Sequence, residues 1–184
     1  MVFSSLIFLY AFFSLSLLAY RHCRTQKQQN TVLLIFSLIF YAWGEPKYLF
    51  LLMFMAFTSW FCALGVERTK SNAGKKFYVA LTAVIDISLI GYFKYAGFIL
   101  QSFNAIAGSN YTWKDIILPL GISFYTFQAL SYVIDVRKGK IEPERDFIKL
   151  ALYISFFPQL VAGPIVRYQT IADQIDLFCQ LVEE

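Results

Sequence analysis

Leu118–Gly139 reads LPLGISFYTFQALSYVIDVRKG. Wound as a helix, it places Gly121, Tyr125, Gln128, Ser131, Tyr132 and Asp135 within one face roughly 120° wide. The opposite face is almost wholly apolar. The apolar run Ile116–Val136 has the length a helix needs to cross a bilayer, about 20 residues. Lipid would leave the polar groups of the stripe unpaired, so it must face protein or a water-filled cavity. Hydrogen bonding between helices accounts for the stripe as well as a pathway lining does.

Downstream, Ile154–Tyr168 reads ISFFPQLVAGPIVRY. Pro158, Gly163 and Pro164 prevent one straight helix through Leu150–Val166 and release backbone groups at membrane depth. Irregular backbone survives there only where protein or a cavity satisfies it. Gln159 and Arg167 supply polar side chains on either side of the break. A kinked helix with a purely structural role is the competing reading.

The rest of the chain repeats the membrane signature. It is 58% hydrophobic, 19% aromatic and 15% charged, with a mean hydropathy of +0.57. A soluble domain averages about half apolar and about a quarter charged. Met1–Tyr20 is long enough to span and carries its positive charge after the apolar run, as a retained first helix does rather than a cleaved signal. Thr31–Trp43 is a shorter apolar stretch, followed by the turn Gly44-Glu45-Pro46-Lys47 and a full span at Tyr48–Val66. Phe77–Phe93 carries Asp86 at its middle, Lys94 interrupts it, and Tyr95–Ala107 continues as a shorter apolar stretch. The connector 108–115 is polar. From Arg167 the tail is amphipathic, with Ile171, Ile175, Phe178 and Val182 at helical spacing. No repeat or linker divides the chain, so residues 1–184 read as one membrane domain.

The formal charge of +4 does not point to nucleic acid. Most of its basic residues fall in three short connectors: Arg21, Arg24 and Lys27; Arg68, Lys70, Lys75 and Lys76; Arg137, Lys138, Lys140, Arg145 and Lys149. A nucleic-acid surface gathers such charges on one folded face, whereas short basic loops between apolar runs mark the cytoplasmic side. The three cysteines, Cys23, Cys62 and Cys179, have no metal-ligand spacing and are too few and too scattered for a disulfide framework. Cys62 reads as a small core residue. Acid–base catalysis at near-neutral pH relies most often on histidine. The only histidine is His22, set in a basic loop between Arg21 and Cys23, where it reads as solvated. No Ser-His-Asp set, metal cluster or phosphate-binding glycine loop is present.

The two long motifs, LPLGISFYTFQALSYVIDV and LYISFFPQLVAGPIVRY, together with YAWGEPKYL near Gly44, resemble the membrane-bound O-acyltransferase family. The nearest branch O-acetylates alginate, peptidoglycan and other exported polysaccharides. Where that branch usually carries Tyr-Arg-Gly after the Asp-Val pair, this chain has Val136-Arg137-Lys138-Gly139. The resemblance implies an all-α, polytopic transmembrane helix bundle with a re-entrant or broken helix, in the cell's inner (cytoplasmic) membrane. It implies transfer of an acyl group, most simply acetyl, from acetyl-CoA or another acyl-thioester on the cytoplasmic side, with no bound cofactor or metal. A periplasmic or extracellular polysaccharide acetyltransferase subunit is the implied partner, besides the lipid bilayer. Tyr125, Gln128, Tyr132, Asp135, Gln159, Gly163, Pro164 and Arg167 are the expected lining of the substrate and donor tunnel. The family's essential histidine, in a Trp-His-Gly context, lies well beyond the Gly-Pro motif, so the chain reads as an N-terminal part that is inactive alone. The alternative is a non-catalytic membrane scaffold, accessory subunit or small transporter, since transporters also use broken helices and buried polar stripes.

Topology is directly testable. The three basic connectors share one side only if Thr31–Trp43 pairs with Tyr48–Val66 as a hairpin and the N-terminus is external. Single cysteines introduced at Arg24, Lys75 and Lys140 should resist an impermeant thiol reagent in intact cells; labelling of any one of them breaks the parity.

Overall fold

The computed structural model describes residues 8–44, 46–107, 118, 119, 121–162, 167 and 168. Every secondary-structure element among them is helical. A π-helical turn, Phe8–Phe13, enters α1 (Ser14–His22), and α2 (Gln26–Gly44) follows. A short 3₁₀ turn, Pro46–Tyr48, leads into α3 (Leu49–Arg68). Next, α4 (Asn72–Ile90) passes through a second π-helical turn, Gly91–Tyr95, into α5 (Ala96–Ala107). The remaining helices are α6 (Ile122–Arg137), α7 (Phe147–Ser155) and α8 (Phe157–Ala162).

Two helical stretches are long and apolar enough to cross a membrane: Pro46–Arg68, with mean hydropathy 2.1 over its best window, and Asn72–Tyr95, with 1.5. At 1.5 Å of rise per residue each is about 35 Å long, which exceeds a hydrocarbon core of about 30 Å. The faces of α3 show how such a helix divides its surfaces. Phe50, Phe54, Phe57 and Phe61 are exposed at helical spacing, while Leu52, Met55, Ala56, Ser59, Cys62, Ala63 and Val66 are buried. Large apolar rings turned outward and small residues turned inward suit a lipid surround, in which close packing rather than apolar transfer draws helices together.

The small inward face of α3 packs against α4 and α6, and α4 packs against α6 in turn. Gly65 gives α4 its closest approach, since a methyl added there would stand 2.5 Å from Cε1 of Tyr78. Level with this contact, Cys62, Thr82 and Asp86 are buried between the helices. Asp86 is thus turned into protein, as an intramembrane carboxylate must be. Its two oxygens have no hydrogen-bond partner among the described residues, and Lys94 stands over the Tyr95 ring at 5.5 Å.

On the other side of α3, α7 packs against both α2 and α3. A second core of rings joins the N-terminal turn to α2 and α8. There Phe8, Phe12, Phe40 and Phe157 are buried together, with centroids 5.4 to 5.9 Å apart.

Three boundaries differ from the sequence reading. The second helix starts at Gln26, not Thr31, because its first turns are polar yet packed: Gln29 and Asn30 are buried, and Gln29 Nε2 donates to the carbonyl of Cys23 at 3.4 Å. Lys94 does not interrupt its helix, which absorbs an extra residue as a π turn and continues. α6 starts at Ile122, not Ile116, because Gly121 takes φ +74° and caps it. The polar connector 108–115, the Gly163-Pro164 pair and the amphipathic tail beyond Tyr168 lie outside the described residues.

Gly121 also meets α8, where an added Cβ would stand 3.2 Å from Cδ2 of Leu160. Gly121→Ala therefore forces a left-handed backbone and crowds Leu160. It should lower stability by about 1 to 2 kcal/mol, seen as an earlier thermal unfolding transition in mild detergent; an unchanged transition would show that the cap is not strained.

Candidate functional site

The site is built where α6 meets α7 and the backbone around Phe156. α7 ends at Ser155 and α8 begins at Phe157; the intervening Phe156 is not helical, with φ −57° and ψ 112°. Pro158 explains the interruption, since it has no amide to donate to Ile154 and its ring would clash with that carbonyl, so it is accommodated in the first turn of a new helix. The displaced amide of Phe157 donates to Ser37 Oγ of α2 at 3.4 Å. The carbonyl of Tyr153, which would have taken that amide in a continuous helix, accepts from Gln128 Nε2 at 2.7 Å.

Gln128 thus satisfies backbone that the proline sets loose. Its side chain and that of Ser131 also hydrogen-bond the Tyr153 hydroxyl, and Ser131 Oγ donates to the Gln128 carbonyl at 2.9 Å. One helical turn on, Tyr132 reaches the loop before α7, where its phenolic oxygen accepts from the amide of Glu144 at 2.8 Å. The Glu144 carboxylate accepts from Tyr168 Oη at 2.7 Å through Oε2 and from the amide of Asp146 at 3.0 Å through Oε1. Asp146 in turn caps α7 by accepting from the Ile148 amide at 2.9 Å. The Tyr168 ring lies edge-on to Tyr132 and Tyr153, with both centroid distances 5.0 Å.

The structure therefore gathers part of the expected set. Tyr125, Gln128 and Tyr132 are buried on one side of α6, and Gln159 is buried on α8. Asp135 is half-buried, and Arg167 is exposed. Gly163 and Pro164 fall outside the described residues, but Tyr168, just beyond them, is packed into the cluster. Sequence reasoning missed Tyr153, Glu144 and Tyr168. Tyr153 sits in an otherwise apolar run, and Glu144 in a connector marked only by its basic residues, so neither spacing nor hydropathy marks them. His22 is exposed at the end of α1.

Glu144 is the only carboxylate shown accepting from two partners here, and its acceptors are filled by donors of this chain. The arrangement holds and shapes; it contains no nucleophile paired with a base among the described residues. What it does is hold tyrosines and an amide together in one buried, hydrogen-bonded cluster.

Comparison with known proteins agrees with the resemblance. The chain is homologous to membrane-bound O-acyltransferases of the alginate and peptidoglycan O-acetylating branch. It is 37% identical over 183 residues to the "Probable alginate O-acetylase AlgI" of Pseudomonas syringae pv. tomato, covering 96% of this chain and 35% of that protein. It is 33% identical over 202 residues to the "Peptidoglycan O-acetyltransferase" of Helicobacter pylori, covering 95% of this chain and 38% of that protein. A shorter match, 34% over 55 residues, is to the "Teichoic acid D-alanyltransferase" of Bacillus subtilis, covering 30% of this chain and 14% of that protein. The chain thus spans about a third of the length of the first two relatives. No protein-family model matches it, and no solved structure matches it.

Two substitutions separate the anchors of the cluster. Gln128→Leu leaves the Tyr153 carbonyl without its amide donor in a buried site and should cost about 1 to 3 kcal/mol. Tyr168→Phe keeps both ring contacts, loses only the bond to Glu144, and should cost about 1 kcal/mol or somewhat more for a charged acceptor. Thermal unfolding in detergent measures both; Gln128→Leu as stable as the parent would mean that the Tyr153 carbonyl finds another donor.

Proposed function

We propose that this chain forms the donor-side part of a membrane-bound O-acyltransferase, which transfers an acyl group, acetyl in the simplest case, to an exported polysaccharide. The observation that carries the reading is the joining of the α6 stripe to Tyr168 through Glu144. This brings the two motifs that resemble the family into one buried cluster, and it does so on a chain homologous to O-acetylases along most of its length.

The bundle is read as polytopic, in the cytoplasmic membrane, with α7 and α8 forming a re-entrant, broken helix. Two contacts support that geometry. Leu160 lies beside Gly121 at the start of α6, whereas Tyr168 lies beside Tyr132, eleven residues along the same helix. At 1.5 Å per residue the chain returns by about 16 Å between them. A segment that enters and comes back in this way leaves backbone groups at membrane depth, which is tolerable only beside protein or a cavity. The donor is an acyl-thioester such as acetyl-CoA, approaching from the side of the basic loops. The acceptor hydroxyl belongs to a polysaccharide on the far side, handled with a periplasmic or extracellular acetyltransferase subunit.

In this reading Tyr125, Gln128, Tyr132 and Gln159 line the passage, Asp135 stands at its mouth, and Tyr153 and Glu144 hold the wall in place. The base that takes the acceptor's proton is not among these residues. His22 is exposed on the first helix and apart from the cluster. The base belongs instead to the part of the relatives that this chain does not span.

The expected result is that the 184-residue chain, expressed alone, adds no labelled acetate to the host polysaccharide. A photoreactive acyl-CoA analogue should nonetheless label α6 or α7 peptides in membranes, and excess acetyl-CoA should suppress the label. Robust transfer that disappears with His22→Ala would overturn the assignment of roles. Absence of competed labelling on α6 and α7 would overturn the donor-side reading and favour a scaffold.

A further inference from the structure

Outside the tyrosine cluster, the described residues form a cleft of about 440 Å³ where α3 ends, α4 begins and α6 runs into the following loop. Its apolar floor is Val66, Val136, Ile141 and Pro143, and its cations are Lys75, Lys140 and Arg145. Two carboxylates, Glu67 and Glu142, also line it. Glu67 is engaged with Arg145 at 3.5 Å, while Lys75 and Lys140 make no ion pair among the described residues. Arg68, Lys70, Lys76, Arg137 and Lys138 are exposed around the rim.

We propose that this cleft holds the phosphate of an anionic phospholipid headgroup, with Lys75 and Lys140 as its two cationic contacts. The inference rests on the reading that α3 and α4 cross the membrane. Given that, the cleft opens at the ends of both candidate spans, at the depth where headgroups lie. Its composition fits a lipid better than a free ion. The phosphate meets two ammonium groups that make no ion pair among the described residues, and the glycerol end meets an apolar floor. The exposed rings of Phe61 and Phe77, on the last turns of α3 and the first turns of α4, continue that surface along the spans. Basic pockets between helix ends on the cytoplasmic side recognise anionic headgroups by this combination. A free phosphate would have no use for the floor or the flanking rings. Half-buried Lys75 is also held in place by its backbone, whose amide donates to the Ser71 carbonyl at 3.1 Å in the first turn of α4.

The test uses the full chain in lipid nanodiscs of phosphatidylcholine with or without one fifth phosphatidylglycerol. Native mass spectrometry then reads the lipid that stays bound on release. One phosphatidylglycerol should be retained in preference to phosphatidylcholine. Lys75→Gln and Lys140→Gln should each weaken retention by roughly fivefold, and together by well over tenfold. The double variant Arg24→Gln/Lys27→Gln, in a different basic loop, should leave retention unchanged, which separates a cleft from a generally basic surface. Inorganic phosphate at millimolar concentration should not displace the lipid. Equal retention of the two lipids, or retention that survives Lys75→Gln/Lys140→Gln with the helical circular dichroism intact, would overturn the site. Ready displacement by inorganic phosphate would replace the lipid with a free anion and overturn the assignment. If the chain failed to float with vesicles of either composition, the membrane-spanning reading would fail instead.

Discussion

The carbonyl of Tyr153 is the point on which the central packing turns. In a continuous helix it would accept from the amide four residues on. Pro158 ends that continuity, and the amide of Phe157 goes to Ser37 of a different helix. In water the carbonyl would take a solvent molecule at little cost. Inside a bilayer the bond must come from the protein, because nothing else there can donate. Gln128 provides it, and that demand places Gln128, and with it one side of α6, against α7. Tyr132 follows one turn later and fixes the loop that carries Glu144. A single missing N–H thereby sets the relation of α6, α7, α2 and the loop between α6 and α7.

How much of this was legible in the sequence depends on whether local pattern or distant contact decides. The polar stripe on α6 was legible because it is a periodicity within one helix, and Tyr125, Gln128 and Tyr132 are buried as a stripe facing protein must be. Asp86 was legible as a mid-span carboxylate but its orientation was not stated by any pattern; its burial agrees with the cost of a carboxylate facing hydrocarbon, about 2 to 3 kcal/mol by lenient scales. Helix starts were less legible. The first turns of α2 are polar, with Gln29 and Asn30 packed inside, so hydropathy trimmed them. Ile116–Leu120 is apolar, so hydropathy extended α6 past a glycine whose positive φ stops it. The partners of the stripe were not legible at all. Glu144 lies in a loop rich in charge, and its role comes from Tyr132, twelve residues away, and Tyr168, twenty-four away. No spacing rule connects those positions.

The two sides of α3 use different physics. Against α4 and α6 it presents small residues and a glycine, so backbones approach and many weak dispersion contacts accumulate. Toward its surroundings it presents phenylalanines. A soluble helix would reverse this arrangement, because water would expel the rings inward. The inversion is a physical sign of a lipid-facing surface that does not depend on homology. It also explains why the amphipathic reading that serves water-facing helices has little to offer for α3, where both faces are apolar and only side-chain size tells them apart.

The loop between α6 and α7 links the buried cluster to the charged end of the bundle. Glu144 faces inward, held by Tyr132 and Tyr168. Its neighbours Glu142, Pro143 and Arg145 face the cleft at the ends of α3 and α4, and Arg145 pairs with Glu67 there. That pair is exposed on both sides and contributes little to stability by itself. The charge-assisted bond from Tyr168 is part-buried and stronger. The loop is therefore registered mainly from inside, by tyrosines on elements before and after it, and the cleft inherits its shape from that registration. A change that loosened Tyr168 would reach the basic surface through three intervening residues at most, whereas a change at Arg145 would have little leverage on the interior. Control of this end of the bundle runs outward from the tyrosine cluster.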